Sequence, residues 1–349
     1  MTNKIQSVSL SKAATILEAL KRMDAARHKL LIITEDDGSF LSLLSIGDIQ
    51  RAVIRNVPLN EAVINILRHD ITVAHEDDDV GVVKERMKSR RNEFMPVIGD
   101  EGRVVKIIVW EELFEERRAV TQIDLPVVIM AGGRGARLKP LTNIIPKPLI
   151  PIQEKTIIED IMDRFVEHGC HSFHISVNYK ADMIRYYFDQ LNNPEYNISF
   201  FQEDHPLGTA GSLSLLKGKV NSTFFVSNCD ILIDQDYAEI LQYHRDNKNE
   251  ITVVAALKHY PIPYGTIVSG ANGELVDLHE KPELTFKINS GMYVLEPHII
   301  DELPHNKHLD ITDLITRLSA GNRKIGVFPV SENSWIDIGA LAEYKSKGT

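Results

Sequence analysis

The chain has 349 residues, 43% of them hydrophobic and 25% charged, which is material for roughly two domains of about 150 residues each and excludes a disordered or fibrous chain. Lys and Arg number 39 against 49 Asp and Glu, and the resulting net charge of -10 repels a phosphate backbone, which argues against nucleic acid as the main partner. Cys170 and Cys229 are too few for a disulfide framework or a Cys-based zinc site and fit a reducing, cytoplasmic setting, while no apolar run has the length of an export signal or a membrane span.

Residues 1–120 carry a repeat. In its first copy a helix is expected over 14–23, followed by the strand Leu30–Thr34, the acidic turn Glu35-Asp36-Asp37-Gly38, a return strand over 40–44 and the segment Ser45-Ile46-Gly47-Asp48. In the second, a helix over 80–89 leads to Phe94–Ile98, the turn Gly99-Asp100-Glu101-Gly102, the return Val104–Val109 and Trp110-Glu111-Glu112-Leu113. A polar linker at 115–124 ends this part, and Leu125-Pro126 opens a second domain over 125–349.

The repeat resembles a tandem pair of CBS domains, small regulatory modules that pack in pairs and often bind adenine nucleotides. By that resemblance Ser45 would meet a phosphate and Asp48 a ribose, and the same two residues also read as an ordinary helix cap. The second copy has Val109 and Glu112 at the matching places, so at most one cleft is equipped for a nucleotide. The pair is expected to act as a regulatory and dimerisation platform, making the protein a homodimer or larger homo-oligomer.

From Val127–Met130 onward, strand runs alternate with amphipathic helices: a helix over 156–168, a strand over 174–177, a helix over 183–191, then strands near 198–202, 224–227 and 251–256. The expected fold class is α/β, a doubly wound, mostly parallel sheet with ligands at the strand C-termini. The loop after the first strand contains Gly132, Gly133 and Gly135, whose backbone can approach a polyanion closely. It lacks the Lys-Ser or Lys-Thr of a P-loop, and the third glycine of a dinucleotide fingerprint would fall at Leu138. Downstream, Pro146 and Pro148 fix the chain on either side of Lys147, which suits an ammonium held against phosphate oxygens.

The run from Gly132 to Leu149 resembles the signature of sugar-phosphate nucleotidyltransferases, and the resemblance extends over about 126–340. It implies that Glu203 meets the edge of the base, with Gly208 and Thr209 beside it in the nucleotide site. It further implies that Asp230 and Asp337 hold Mg²⁺, and that Gly265, Glu280 and Asn289 contact the sugar. Arg137 would steady the leaving phosphates, Lys147 bridge both substrates and Lys281 grip the acceptor phosphate, with catalysis by positioning and charge neutralisation. Ala136 stands where many relatives carry a hydroxyl.

A carboxylate at Glu203 can accept from both N1-H and the 2-amino group of guanine, which makes GTP the expected donor unless Glu203 turns away and Gln202 replaces it. The segment Pro206-Leu207-Gly208-Thr209-Ala210-Gly211 also resembles guanylyltransferases for mannose and heptose phosphates. A CBS pair before such a domain resembles glucosamine-1-phosphate guanylyltransferases of bacterial legionaminic acid synthesis. A uridylyl- or cytidylyltransferase and a non-catalytic adenine-nucleotide sensor remain the alternatives. The tail beyond Asp337 shows no hexapeptide repeat, so no fused β-helix acyltransferase is expected.

Overall fold

The computed structural model describes residues 2–90, 93–110, 120–152 and 154–338, with only the backbone of 2–4. Glu111, Glu112 and Leu113, linker residues 115–119 and Gly339 lie outside the described residues. The chain divides into two compact units, Met1–Ala119 and Val120–Thr349.

The first unit contains two three-stranded sheets of the same design. Strands β1 (Ser9–Ser11), β2 (Leu30–Thr34) and β3 (Phe40–Ser45) form one, and β4 (Ala74–His75), β5 (Phe94–Ile98) and β6 (Val104–Val109) the other. In each, the short first strand runs parallel to the second and the second antiparallel to the third. Leu30 pairs with Ser45 and Phe94 with Val109, and both hairpins slip register one residue before their ends. Ser45 and Val109 therefore hold equivalent places. The short strands β1 and β4 had no periodicity of their own to announce them, because two or three residues carry too little pattern.

Three helices open with the same local device. Thr15, Ser45 and Thr156 each accept from the backbone three residues on, where Glu18, Asp48 and Glu159 reach back to the cap's own N-H. This reciprocal cap satisfies two backbone donors that the helix cannot bond itself.

The second unit is built on a seven-stranded sheet. Its strands are β7 (Val127–Met130), β10 (Ser172–Val177), β11 (Asn197–Gln202), β12 (Phe224–Asn228), β14 (Ile251–Pro261), β17 (Glu283–Leu295) and β18 (Ile325–Ser331), in the order β11-β10-β7-β12-β17-β14-β18. Six run parallel and β17 alone is reversed. Alternation along β7 shows the double winding: Val127 and Ile129 enter one core, Val128 the other. The first core is closed by the helices Ile157–Glu167, Ala181–Leu191 and Tyr237–Asp246, the second by Gly208–Leu213 and Ile311–Ala320. Phe165 and Phe173 are wholly buried in the first core, each worth roughly 1.5–3 kcal/mol over exposure. The expected α/β class and mostly parallel sheet hold.

Smaller pairs complete the unit: β8 (Pro151–Ile152) with β9 (Lys155–Thr156), β13 (Ile231–Ile233) with β19 (Trp335–Asp337), and β15 (Thr266–Ser269) with β16 (Leu275–His279). The β13–β19 pair matters most for function, because it lays residue 337 beside 231 at the end of β12.

Candidate active site

The site is assembled where the parallel strands end. After β7 the chain makes no long helix but three single turns, Ala136–Leu138, Leu141–Asn143 and Lys147–Leu149. Gly135 enters the first at φ 60°, and a Cβ there would lie 2.8 Å from Thr142 Cγ2 and 3.1 Å from Lys147 Cβ. Thr142 Oγ1 donates to the Gly135 carbonyl at 3.0 Å, closing the loop on itself. Glycine is thus required at 135 by both conformation and space. At Gly132 a Cβ would come within 3.2 Å of Glu203 Oε1, whereas at Gly133 it would meet open space. The open side at 133 is room a ligand can use.

Four charged groups converge beside this loop. Lys147, its side chain 11% exposed, donates directly to Asp230 Oδ2. The Arg137 guanidinium, 69% exposed, lies 3.7 Å from Asp230 Oδ2 and 3.9 Å from Asp337 Oδ2. Asp230 follows β12, and its carbonyl accepts from Ile338 N-H at 2.8 Å, so the two acids are tied through backbone as well as through Arg137. Arg137, Lys147, Asp230 and Asp337, singled out from separate stretches of sequence, share one place.

The acids fit a divalent cation. Asp337 Oδ1 is buried with no hydrogen-bond partner, an uncompensated polar atom that a cation would satisfy. Among the described residues no group of three or more His, Cys, Asp or Glu could enclose a metal. Two carboxylates with substrate oxygens suit an ion that binds oxygen and keeps part of its water. Cys229, next to Asp230, is a free buried thiol whose pKa burial pushes up to about 12, so it supplies no thiolate.

Glu203 departs from expectation. Its side chain turns inward at 7% exposure, where Oε1 accepts from Ser176 Oγ at 2.6 Å and Ser212 Oγ at 2.7 Å, and Oε2 from Leu207 N-H at 3.0 Å. A carboxylate committed to three protein donors ties β10, the 203–207 loop and the following helix together and is not aimed at a base edge. Gln202, the alternative, points elsewhere: its Oε1 accepts from Arg185 at 3.0 Å. Gly208, at φ 71°, is likewise demanded by protein, since a Cβ would lie 2.7 Å from the Leu309 carbonyl oxygen. Thr209 follows it, half-buried, in the first turn of the helix Gly208–Leu213.

The residues expected on the sugar lie on other elements, where Gly265 and Glu280 are neighbours. A Cβ at Gly265 would stand 3.0 Å from Glu280 Oε2, and Lys281 follows in a left-handed turn at φ 47°. Asn289 Oδ1 accepts from Gly291 N-H at 3.1 Å. Gly291, at φ 88°, leaves no room for a Cβ beside the Asn228 amide, which joins this strand to the end of β12.

In the first unit, Ser45 and Asp48 are the helix cap. Asp48 Oδ2 accepts from Ser45 N-H at 2.8 Å and Ser45 Oγ at 2.6 Å, and its Oδ1 takes Arg51. The cap accounts for the Ser45–Asp48 contacts, and the carboxylate also lies 3.6 Å from Arg68 Nε, so it is already spent within the protein.

Sequence reasoning missed the segment Asn178-Tyr179-Lys180. Asn178 Nδ2 donates to the Glu203 carbonyl at 2.9 Å, Tyr179 OH to the Thr142 carbonyl at 3.2 Å, and Lys180 Nζ to the Asn143 and Ile144 carbonyls, both at 2.6 Å. Its place just beyond the C-terminal end of β10 is the signal that could have found it.

The chain belongs to the nucleotidyl transferase family, matched over residues 126–347, and CBS domains are matched at 1–55 and 63–119. It is similar to a mannose-1-phosphate guanylyltransferase of Mycobacterium tuberculosis, 29% identical over 65% of this chain and 64% of that one. It is also similar to the catalytic subunit beta of mannose-1-phosphate guanylyltransferase from Dictyostelium discoideum, 30% identical over 64% of this chain and 63% of the other. The chain thus spans less than two thirds of the length of these relatives. The crystal structure of a glucose-1-phosphate thymidylyltransferase candidate from Bacillus anthracis, in complex with sucrose, aligns at TM-score 0.50 over 64% of this chain and 93% of that one. Its identity of 20% speaks to fold alone.

Proposed function

We propose that this chain transfers GMP from GTP to a sugar 1-phosphate and releases pyrophosphate. The observation that carries this is the convergence of Arg137, Lys147, Asp230 and Asp337 beside the glycine loop at the strand ends. The acceptor phosphate is already ionised, so the reaction needs no general base. Arg137, exposed at the surface beside both acids, steadies the β- and γ-phosphates. Lys147 is held inward by its flanking prolines and bridges donor and acceptor, while Lys281 grips the acceptor phosphate and Glu280, Gly265 and Asn289 hold sugar hydroxyls. Asp230 and Asp337 would hold Mg²⁺, which when bound neutralises charge on the α-phosphate.

Support for GTP comes from the names of the relatives and from the Pro206-Leu207-Gly208-Thr209-Ala210-Gly211 segment they resemble, rather than from Glu203. Mannose 1-phosphate is the acceptor in the relatives' names, whereas the CBS pair ahead of the transferase favours α-D-glucosamine 1-phosphate, a precursor for bacterial surface glycans or nonulosonic acids. We place the enzyme in the cytoplasm, where nucleoside triphosphates are available; no helix among the described residues is long and apolar enough to cross a membrane. The CBS pair serves regulation and homo-oligomerisation in this reading.

Pyrophosphate release with each nucleoside triphosphate and a panel of hexose, hexosamine and heptose 1-phosphates tests it. GTP turnover that stops on metal chelation is expected. Preference for UTP or CTP would overturn the choice of donor. No release from any pair, with or without added adenine nucleotide, would put the sensor reading in its place.

A further inference from the structure

Between Arg137 and Lys147 the chain has no strand or long helix to hold it, only the turn Leu141–Asn143 and the loop after it. Two of its side chains face outward, Leu141 at 44% and Ile144 at 72% exposure, while Thr142 is buried and Leu138 and Ile145 pack against the first core, so packing holds one side of this stretch only. Thr142 bonds the Gly135 carbonyl and the turn closes its own backbone bonds, and a further polar hold reaches it from residues 179 and 180. Tyr179 takes the Thr142 carbonyl and Lys180 takes the next two, those of Asn143 and Ile144.

Lys180 is unusual for a half-buried surface lysine. Such side chains ordinarily lie along the surface with the ammonium in water and no fixed partner. Here the ammonium donates at 2.6 Å to two consecutive carbonyls, which close a short helical turn and carry the negative end of its dipole. Its own backbone is left-handed at φ 54°, a conformation that costs a non-glycine residue of the order of 1–2 kcal/mol. A strained residue that starts a helix and reaches back across the loop is a clasp.

We propose that Lys180 is a positioning residue for the phosphate-handling loop: it pins residues 142–144 so that Arg137 and Lys147 stay aimed at Asp230. The path is short. Thr142, buried and bonded to the Gly135 carbonyl, transmits the hold to the Gly135 turn and so to Arg137, and the chain leaving Ile144 enters the Pro146-Lys147-Pro148 turn. The proposal rests on the reading that Arg137 and Lys147 handle the triphosphate.

The test compares the full chain with Lys180→Met and Lys180→Arg. In Lys180→Met, amide exchange over residues 136–150 should accelerate at least about ten-fold. The KM for GTP should rise and kcat fall by on the order of ten-fold each, with the KM for the sugar 1-phosphate within about two-fold of the parent. Lys180→Arg should recover most of the loss, since a guanidinium also donates to carbonyls. Unchanged exchange in the loop, or equal change in both KM values with a lowered melting temperature, would overturn the clasp and leave Lys180 a general stabiliser. If the parent protein turns over no nucleotide at all, the proposed function fails, and the exchange comparison still decides whether Lys180 holds the loop.

Discussion

Lys147 and Asp230 lie 83 positions apart in the chain, yet the lysine's ammonium donates to the carboxylate, with both side chains almost shut off from solvent. The pair neutralises itself in the free protein, and in the proposed reaction the lysine would exchange its partner for a phosphate oxygen and the acid for a cation. Removing one partner leaves the other charge unpaired in a poorly hydrated place.

Lys147→Met and Asp230→Asn should each lower turnover by about 10²–10³-fold, the range found when a charge-stabilising group is lost. Asp337→Asn should instead raise the Mg²⁺ concentration needed for half-maximal rate, because it removes the acid whose Oδ1 has no protein partner. Steady-state rates across a Mg²⁺ series, with circular dichroism confirming the fold, separate these effects; an Asp337→Asn enzyme with an unaltered Mg²⁺ curve would remove that residue from the proposed metal site.

Gly135→Ala puts a methyl group 2.8 Å from Thr142 Cγ2 and 3.1 Å from Lys147 Cβ in a left-handed turn. The conformation alone costs about 1–2 kcal/mol, and the contact displaces Lys147. Turnover should fall at least about ten-fold. Gly133→Ala, whose Cβ meets nothing within 4 Å, is the control and should leave stability unchanged. Melting curves and rates of the two variants check this.

Glu203→Gln tests whether the residue is a brace or a reader of the base. An amide presents a donor where Ser176 and Ser212 or Leu207 N-H now donate, so about 2 kcal/mol should be lost. That corresponds to a melting temperature lower by roughly 4–8 °C, with the ratio of GTP to UTP turnover unchanged. An unchanged melting temperature with a collapsed GTP preference would restore Glu203 to the base edge.

Acid should destabilise the second unit in two stages. Burial holds the pKa of His168, His174 and His244 below the usual imidazole value. The unfolded chain therefore binds protons first as pH falls below about 6.5, and stability drops from there. Glu250, bonded by Arg323 and His298, is held down to about 2, so its contribution is present above the unfolded value of about 4.5 and lost as pH falls towards 2. Melting temperatures from pH 8 to 3 should fall through both windows, and Glu250→Gln should flatten only the lower one.

Much of this was legible in the residues themselves. The cap at Ser45, the glycine at 135 and the prolines around Lys147 state local backbone demands that do not depend on the rest of the chain. Alternating and helical periodicity likewise marked the main strands and the helix Ile157–Glu167, because burial of one face imposes a period. Tertiary structure decided which distant groups meet. It reversed β17, laid Asp337 beside the end of β12, turned Glu203 inward onto two serines and brought Lys180 across to the Asn143 and Ile144 carbonyls. Such pairings follow from strand order and register, and from which donors and acceptors the folded chain leaves within about 3 Å of one another, quantities that no local stretch of sequence encodes.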